Sequence, residues 1–257
     1  MKVFAGKKVL MLVENNSVPF DKRIWREARS LKKLGLEVTI VAPMTQDSNL
    51  QFEILDDIKI YRYKITFATS KSGYIFEYFI SLLRMVHLSF IIFFREGFNI
   101  IHVANPPDLL CIVALLYRVL GVKFIYDQHD LVPETFLSKF GTGNRSVLYQ
   151  FLILLEKISY KFAHAVIVTN ESYKKNAIER GNISSTKVFI VRNGPYLKEF
   201  KYSKPVKKWK FGHRYMCAYI GIMGVQDGVG YIVKAADYLI NTKNVRNIAF
   251  VLIGRGE

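Results

Sequence analysis

Acidic residues and a histidine are concentrated directly after one short apolar segment. Val122–Tyr126 has the composition of a buried strand, and the polar residues Asp127, His129, Asp130 and Glu134 follow it. Ligands of parallel α/β sheets bind beyond the carboxyl ends of the strands, and a histidine there can exchange a proton near neutral pH. We therefore predict a loop with general acid or base chemistry. The alternative is a structural histidine that is satisfied by Asp127 or Asp130, beside acids that are solvated or cap a helix.

Alternating strands and helices are predicted around this loop. The spacing of Ile24, Ala28 and Leu31 predicts a first helix that Asp21 caps and Gly35 ends. This alternation is typical of a Rossmann-like parallel sheet with helices on both faces. The predicted strands are Lys8–Val13, Val38–Val41, Lys59–Lys64, Asn99–Val103, Val122–Tyr126, Ala165–Thr169 and Lys187–Val191. The later predicted helices are Tyr74–Phe94, one that ends at Leu120, Asn144–Phe162 and Glu171–Arg180, with a polar loop at Thr66–Gly73.

The composition changes near residue 196, which predicts a domain boundary. Residues 1–195 form the first domain and residues 196–213 a lysine-rich linker, which is a solvated segment more often than a ligand site. Residues 214–257 then read as strand Tyr215–Ile220, helix Val229–Ile240 and strand Ile248–Ile253. One strand–helix–strand unit cannot cover both faces of a parallel sheet. We therefore expect an incomplete second Rossmann-like domain.

The net charge of +16 indicates an anionic partner: nucleic acid, a phosphorylated substrate or an acidic membrane surface. No nucleic-acid-binding motif is recognised, and nucleic acid is therefore not an expected partner. The five histidines lack zinc-ligand spacing, so no metal is predicted. Cys111 and Cys217 both lie in apolar runs, as buried thiols do in a reducing cytoplasm. The apolar run Val9–Val13 is too short for a signal peptide.

The segment Tyr74–Arg95 is the most apolar part of the chain and also carries basic and aromatic residues. Arg84 and His87 interrupt it, and it is short for a membrane span. We predict a core or interfacial helix, which would place the protein peripherally on the cytoplasmic face of a membrane.

Six segments in register resemble one enzyme family. Asp21–Ala28 is followed by Ile101–Asp108, Tyr126–Glu134 and Ala165–Ser172. Val191–Gly194 and Tyr219–Gly228 with Ile253–Gly256 complete the pattern. Together they resemble the retaining nucleotide-sugar glycosyltransferases of glycosyltransferase family 4, which have two facing Rossmann-like domains in the GT-B architecture.

The resemblance implies an acceptor-binding first domain and a donor-binding second domain, with reaction between them. It implies a nucleoside diphosphate sugar as donor substrate, no further cofactor, and a polyprenyl-linked or cell-surface glycan precursor as acceptor. His129 would contact the donor sugar, with Asp130 as a second catalytic candidate. The implied substrate-binding residues are Asn15, Asn16, Ser17, Asp21, Arg23, Asn105 and Asp108, of which the first three would face phosphates beside the first helix N-terminus.

The departures from the family pattern lie in the donor-binding parts. The first loop, Glu14–Ser17, has no glycine, and Ile222 and Asp227 stand where many members have an arginine and a lysine. Backbone amides at Gly221 and Gly224 would then bind the donor, unless they only form a tight turn. The family's paired glutamates of the second domain are not found. We expect the chain alone to be inactive, or to be a non-catalytic acceptor-binding or membrane-docking subunit that a donor-domain chain completes.

Overall fold

The computed structural model describes residues 4–45, 48–65, 71–141, 146–194, 201–204, 206–224 and 227–256. It divides into two compact units. Unit 1 is Met1–Leu137 with Thr142–Asn193, and unit 2 is Ser138–Gly141 with Gly194–Glu257. Parts of the predicted loop Thr66–Gly73 and of the linker at residues 196–213 lie outside the described residues.

Unit 1 contains an eight-stranded sheet in the order β3-β4-β2-β1-β5-β6-β7-β8. All of its strand pairs are parallel except β3 with β4, so the predicted parallel α/β sheet is confirmed. The strands are β1 Lys8–Leu12, β2 Glu37–Pro43, β3 Phe52–Leu55, β4 Ile58–Tyr63, β5 Ile100–Ala104, β6 Lys123–Gln128, β7 Ala165–Val168 and β8 Val188–Ile190. The antiparallel edge strand β3 was not predicted from the sequence.

The helices of unit 1 are α1 Lys22–Lys33, α2 Lys71–Arg95, α3 Cys111–Arg118, α4 Val132–Phe140, α5 Val147–Phe162 and α6 Glu171–Gly181. Short 3₁₀ turns occupy Asp108–Leu110 and Ser185–Lys187. Helix α4 was not predicted, and it places Glu134 on a helix instead of in a loop. Lys71–Gly73, which had been predicted as loop, belongs to α2.

Two apolar clusters lie on opposite faces of the sheet. One contains Ile101, Val103 and Tyr126 and packs against α2, α3, α5 and α6. The other contains Met11 and Ile40 and packs against α1 through buried residues such as Ile24 and Ala28. The alternation of side chains along a strand therefore turns His102 and Asp127 towards the face that carries α1.

Strand β6 extends two residues further than its apolar composition predicts. Asp127 pairs with Ile167 and Gln128 with Val168, so both residues belong to the strand. The prediction that the strand ends at Tyr126 and that Asp127 lies in a loop was wrong. A buried carboxylate is tolerated inside the sheet because an arginine from α1 compensates its charge, as described below.

Unit 2 contains two parallel strands, β9 Tyr215–Met223 and β10 Ile248–Gly256, and helix α7 Val229–Asp237. A π-helical turn, Tyr238–Thr242, continues α7, and a short 3₁₀ turn lies at Lys207–Lys210. Large apolar side chains of its strands and helix are exposed, among them Ile220 (77%) and Tyr231 (76%). Unit 2 is thus a strand–helix–strand unit with exposed apolar side chains, and the prediction that it begins a larger Rossmann-like domain stays a prediction.

Candidate active site at the carboxyl ends of the strands

The buried carboxylate of Asp127 is the centre of a charged cluster. Its Oδ1 accepts a hydrogen bond of 2.7 Å from Nη2 of Arg23, and its Oδ2 lies 2.7 Å from Nε2 of His129. Nε2 of His102 lies 3.3 Å from the same Oδ2. Burial favours the protonated carboxyl, but hydrogen bonds from His102 and His129 hold the pKa of Asp127 well below its usual range. Asp127 is therefore ionised and fully buried among three partners.

Glu27 completes this cluster from helix α1, one turn after Arg23. Its Oε1 lies 3.1 Å from Nη2 of Arg23, and its Oε2 lies 3.6 Å from Nε2 of His102. Burial and the negative charge of Asp127 raise the pKa of Glu27 to about 7, against the attraction of His102 and Arg23. Neither Glu27 nor His102 was predicted as a site residue. The i,i+4 spacing of Arg23 and Glu27 on one helix face was the available signal.

Three of these residues have the composition of a metal site. Ligand atoms of Glu27, His102 and Asp127 all lie within 4.8 Å of one another. However, the guanidinium of Arg23 already contacts both carboxylates, so the donor set as arranged holds an organic cation and does not fit a metal ion. The prediction of no metal stays a prediction.

Arg23 was predicted to bind substrate, but its side chain is only 6% exposed. Besides Asp127 it donates to the carbonyl of Val191, at 2.8 Å from Nη1. It thereby ties α1 to β6 and to the segment after β8. Although it is largely buried, Arg23 also lines the pocket described below, and its role in substrate binding stays a prediction.

Asn105 was predicted as a substrate ligand and instead organises the loop after β6. Its Oδ1 accepts hydrogen bonds from the backbone amides of His129 at 2.6 Å and Asp130 at 3.1 Å. Its Nδ2 donates to the carbonyl of Asp130 and to Oδ1 of Asp108, both at 2.8 Å. Because Asn105 is 1% exposed, its described contacts are all internal.

Asp108, another predicted substrate ligand, is also buried. It accepts hydrogen bonds from Tyr126 and Asn105. Burial nonetheless raises the pKa of Asp108 to about 7. Asn105 and Asp108 therefore lie behind the loop and hold it in place, without exposed polar atoms to offer to a ligand.

The loop after β1 contains three residues that were predicted to bind substrate, and they differ in exposure. Asn15 and Asn16 are exposed, whereas Ser17 is fully buried. Arg62 of β4 holds this loop in place, because its buried Nη2 donates a hydrogen bond of 2.7 Å to the carbonyl of Val18. Asn15 and Asn16 remain available to a ligand, and Ser17 does not.

The first turn of α1 differs from the predicted anion site. The carboxylate of Asp21 accepts hydrogen bonds from the amides of Arg23 and Ile24, both at 3.1 Å. A phosphate at this helix end would have to displace a bonded carboxylate of the same charge. Asp21 is therefore a helix cap, and its carboxylate lies where a phosphate of the ligand was expected.

A pocket of about 420 Å³ opens beside this cap and the cluster. Its lining combines the side chains after β1 and β6 with one side of α1 and consists of Asn15, Asn16, Phe20, Asp21, Lys22, Arg23, Arg26, His129, Asp130, Thr169 and Asn193. Arg26 on its wall donates to Oδ1 of Asn193. His129, with Nε2 directed to Asp127, and Arg23 both belong to the buried cluster and line the pocket.

Glu134, a third acidic candidate, belongs to a separate network. It pairs with Arg180, which also donates to Oε2 of Glu156 at 2.9 Å. Glu156 in turn accepts a hydrogen bond of 2.9 Å from Gln128. These contacts connect α4, α5 and α6 to β6 and leave Glu134 outside the pocket.

In unit 2, Gly221 and Gly224 lie at the end of β9 and directly after it. The amide of Gly224 donates to Oδ2 of Asp227 at 2.9 Å, so an internal carboxylate already takes the hydrogen bond expected for a donor phosphate. Gly221 pairs with Gly254, and an added Cβ at Gly254 would lie 1.8 Å from the carbonyl oxygen of Gly221. Close strand packing thus explains the glycine at 254, and the role of Gly221 and Gly224 in donor binding stays a prediction.

Comparison with known proteins identifies the family. The family model for Glycosyltransferase Family 4 matches residues 22–197. This chain belongs to glycosyltransferase family 4. A probable glycosyltransferase, WbjE from Pseudomonas aeruginosa, is 26% identical over 168 residues, which are 63% of this chain and 40% of that protein. The chain thus spans less than half the length of this relative.

Solved structures share the fold. Sucrose-phosphate synthase from Thermosynechococcus elongatus has a TM-score of 0.61 at 14% identity, over 96% of this chain and 71% of that one. An Escherichia coli structure described as trehalose-6-phosphate bound with UDP-2-fluoro glucose has a TM-score of 0.64 at 12% identity, over 98% of this chain and 65% of that one. These similarities confirm the predicted Rossmann-like fold of the GT-B type.

Proposed function

We propose that this chain supplies the acceptor-side domain of a retaining glycosyltransferase. The protein would transfer a sugar from a nucleoside diphosphate sugar to a polyprenyl-linked or other cell-surface glycan precursor. The observation that carries the proposal is the position of His129, which is anchored to ionised Asp127 and lines the pocket at the carboxyl ends of the strands. The family match and the fold support the same reaction.

The geometry assigns a specific task to each group. Because Asp127 is ionised, Nε2 of His129 donates to it, which leaves Nδ1 for a ligand hydroxyl. Asn105 fixes the backbone of the loop, so the ring is held in position before the substrate binds. Asn15, Asn16 and Lys22 are exposed in the same pocket and are the residues we expect to contact the sugar or its phosphates. Asp130 lies beside His129 and is the second candidate for proton transfer.

The test is sugar transfer to a polyprenyl phosphate-linked acceptor, measured with a panel of radiolabelled nucleotide sugars. We expect His129→Ala to reduce transfer at least 100-fold while the circular dichroism spectrum stays unchanged. The matched control is His164→Ala, at the opposite ends of the strands, which should retain activity. Unchanged sugar transfer by the His129→Ala variant would show that His129 has only a structural role.

We further propose that the complete donor site requires sequence beyond these 257 residues. The apolar side chains of the strands in unit 2 are exposed, and the carboxylate of Asp227 accepts the hydrogen bond from the amide of Gly224. Transfer by the purified chain alone would contradict this proposal.

The second candidate function is a non-catalytic acceptor-binding or membrane-docking subunit. Exposed Ile220 and Ile253 of unit 2 favour it, because a separate donor-domain chain could cover them. Co-purification of such a chain, with activity only in the mixture, would support the subunit. A catalytically active single polypeptide would exclude it.

Membrane attachment through α2 is part of the proposal. By length and composition, Tyr78–Arg95 is apolar enough to cross a membrane, but Met85 and Ile92 are buried in the core of unit 1. The outer side of this helix exposes Phe79 (52%), Leu83 (48%) and Phe94 (80%). A helix with one side in the protein core is suited to lie on a membrane surface, where the chain's positive charge favours anionic lipids.

Co-sedimentation with vesicles of phosphatidylethanolamine and phosphatidylglycerol tests this attachment. We expect the double variant Phe79→Ser/Phe94→Ser to lose most of its binding. Phe189→Ser is the control, because this residue is similarly exposed (54%) but lies on β8, away from α2. Equal binding by the double variant and the parent chain would argue against docking through α2.

A further inference from the structure

The segment of residues 201–215, which leads into β9 of unit 2, is both basic and aromatic. It contains six lysine or arginine residues, four aromatic residues and no acid. All of its described residues, 201–204 and 206–215, are exposed. We call residues 201–215 the basic–aromatic segment. Its cations are Lys201, Lys204, Lys207, Lys208, Lys210 and Arg214.

Hydrogen bonds hold the second half of this segment against the strands of unit 2. The 3₁₀ turn Lys207–Lys210 begins where the amide of Trp209 donates to the carbonyl of Val206 at 3.1 Å. The amide of His213 donates to the carbonyl of Lys210 at 2.8 Å, and its Nδ1 lies 2.9 Å from the carbonyl oxygen of Arg246, just before β10. The turn is therefore attached to the amino ends of β9 and β10 and has a defined conformation.

The conformation of the turn presents apolar and basic side chains to solvent together. Side chains three residues apart in a 3₁₀ turn lie on the same side, which groups Val206 with Trp209 and Lys207 with Lys210. Trp209 is 56% exposed, and Phe211, directly after the turn, is 62% exposed. Large aromatic rings thus alternate with ammonium groups over one short stretch of surface.

The positive charges of the basic–aromatic segment are not compensated within the described part of the chain. None of its six cations forms an ion pair with a carboxylate there. Lys210 donates to the carbonyl of Arg214 at 3.1 Å, and the ammonium of Lys208 lies 5.0 Å from the ring centroid of Trp209. Covering these cations with a second copy of this basic chain would bring like charges together and desolvate them. The partner that fits is therefore anionic and also accepts aromatic rings.

We propose that the basic–aromatic segment binds the surface of an anionic membrane. Lipid phosphates neutralise the lysines, and Trp209 and Phe211 enter the headgroup region, where aromatic rings are favoured. This binding surface belongs to unit 2, whereas α2 belongs to unit 1. The proposal depends neither on sugar transfer nor on docking through α2.

Tryptophan fluorescence tests the contact directly, because the chain has only two tryptophans, Trp25 and Trp209. In the full chain with Trp25→Phe, vesicles of phosphatidylethanolamine and phosphatidylglycerol should shift the Trp209 emission to shorter wavelength, and dibrominated acyl chains should quench it. Subtracting the spectrum of Trp209→Phe from that of the parent chain gives the same signal if Trp25→Phe does not fold. Unchanged Trp209 emission would overturn the proposal, and co-sedimentation of that same chain would leave docking through α2 intact.

Charge variants test the role of the lysines. We expect Lys207→Gln/Lys210→Gln to weaken binding to these vesicles roughly 30-fold, since each cation near such a surface contributes about 1 kcal/mol. The matched control Lys33→Gln/Lys187→Gln removes the same charge from exposed positions of unit 1 and should bind as the parent chain does. Equal weakening in both variants would attribute binding to net charge and overturn the proposal. Tighter binding of a single-stranded oligonucleotide, with quenching of Trp209, would overturn it in favour of nucleic acid.

Discussion

The two ends of the parallel sheet in unit 1 carry pockets of the same volume and very different electrostatics. The pocket at the carboxyl ends and the pocket at the amino ends each measure about 420 Å³. At the amino ends the charges form partly exposed pairs such as Lys59–Glu96, with side chains 38% and 21% exposed. At the carboxyl ends Arg23 and Asp127 are 6% and 0% exposed. The two pockets therefore do not differ in volume. They differ in their charges, because the carboxyl-end pocket lies beside a cluster of desolvated charges. A protein retains such charges at a cost in stability, which marks a functional site.

The largest difference between the two ends should appear when one carboxylate is neutralised. Asp127→Asn removes the buried carboxylate that Arg23, His102 and His129 all contact, and we expect a loss of about 3–5 kcal/mol in the free energy of unfolding. The matched control Glu96→Gln removes a partly exposed partner of Lys59 and should cost about 1 kcal/mol or less. Urea denaturation followed by circular dichroism measures both. Similar losses in the two variants would remove the basis of the comparison.

A smaller effect is expected from the same amide substitution at each end. Asn105→Ala removes the acceptor of two loop amides in a buried position, and we expect a loss of about 2 kcal/mol. Asn99→Ala removes one hydrogen bond, to the amide of Lys8, at an exposed position and should cost about 0.5–1 kcal/mol. Thermal unfolding measures both variants. A smaller loss in Asn105→Ala than in Asn99→Ala would show that the loop after β6 is not held by this side chain.

The carboxyl-end cluster should also give the stability a distinctive pH dependence. Glu27 has a pKa near 7 in the folded chain and near 4.5 as its reference, so between these values the folded state binds more protons. Its contribution to stability therefore falls as the pH rises from about 4.5 through about 7, by on the order of 2 kcal/mol. Asp127 has the opposite effect on stability, because its pKa is lowered in the folded chain. Its contribution to the free energy of unfolding is lost as the pH falls below its pKa in the unfolded chain.

Urea unfolding at pH 5 and pH 8 checks the Glu27 contribution. Glu27→Gln should lose the decline between these two pH values, whereas Glu37→Gln should behave as the parent chain. An unaltered decline in Glu27→Gln would assign the pH dependence to other groups.

The smallest expected effect is a difference between two histidines at opposite ends of the sheet. Burial, Lys123 and Arg118 lower the pKa of His164, whose Nδ1 accepts a hydrogen bond from the amide of Phe124 at 3.0 Å. The contact with Asp127 raises the pKa of His102. NMR titration should therefore place the His164 midpoint below 6.5 and the His102 midpoint above it. The reverse order would contradict the charge arrangement at both ends.

Local patterns were sufficient for most elements of unit 1. The helical spacing of Ile24, Ala28 and Leu31 predicted α1, and Asp21 was identified as its cap before the structure showed both hydrogen bonds. Strand β3 and helix α4 were missed, because an edge strand with exposed Phe52 and Ile54 has no clear apolar alternation. The end of β6 was placed too early because Asp127 was taken to interrupt a strand.

The candidate site was predicted only in part, because sequence spacing does not show which distant residues come into contact. The loop after β6 was identified from its polar residues, but two predicted ligands, Asn105 and Asp108, are buried among protein contacts. Arg23 and Asp127 meet although they are 104 residues apart. Their contact depends on the strand order and on which face of the sheet carries α1, and neither follows from the local pattern.

The sequence by itself determined the parallel α/β architecture, the basic character of the chain and the family to which it belongs, because periodicity, charge and motif order are properties of short segments. Tertiary structure decided which charges meet. It placed Glu27 and His102 beside Asp127. It also brought His129 and Arg23 of that cluster to the wall of the pocket. Whether a polar residue binds a ligand or holds its neighbour depends on the desolvation and the partners that only the packed sheet provides.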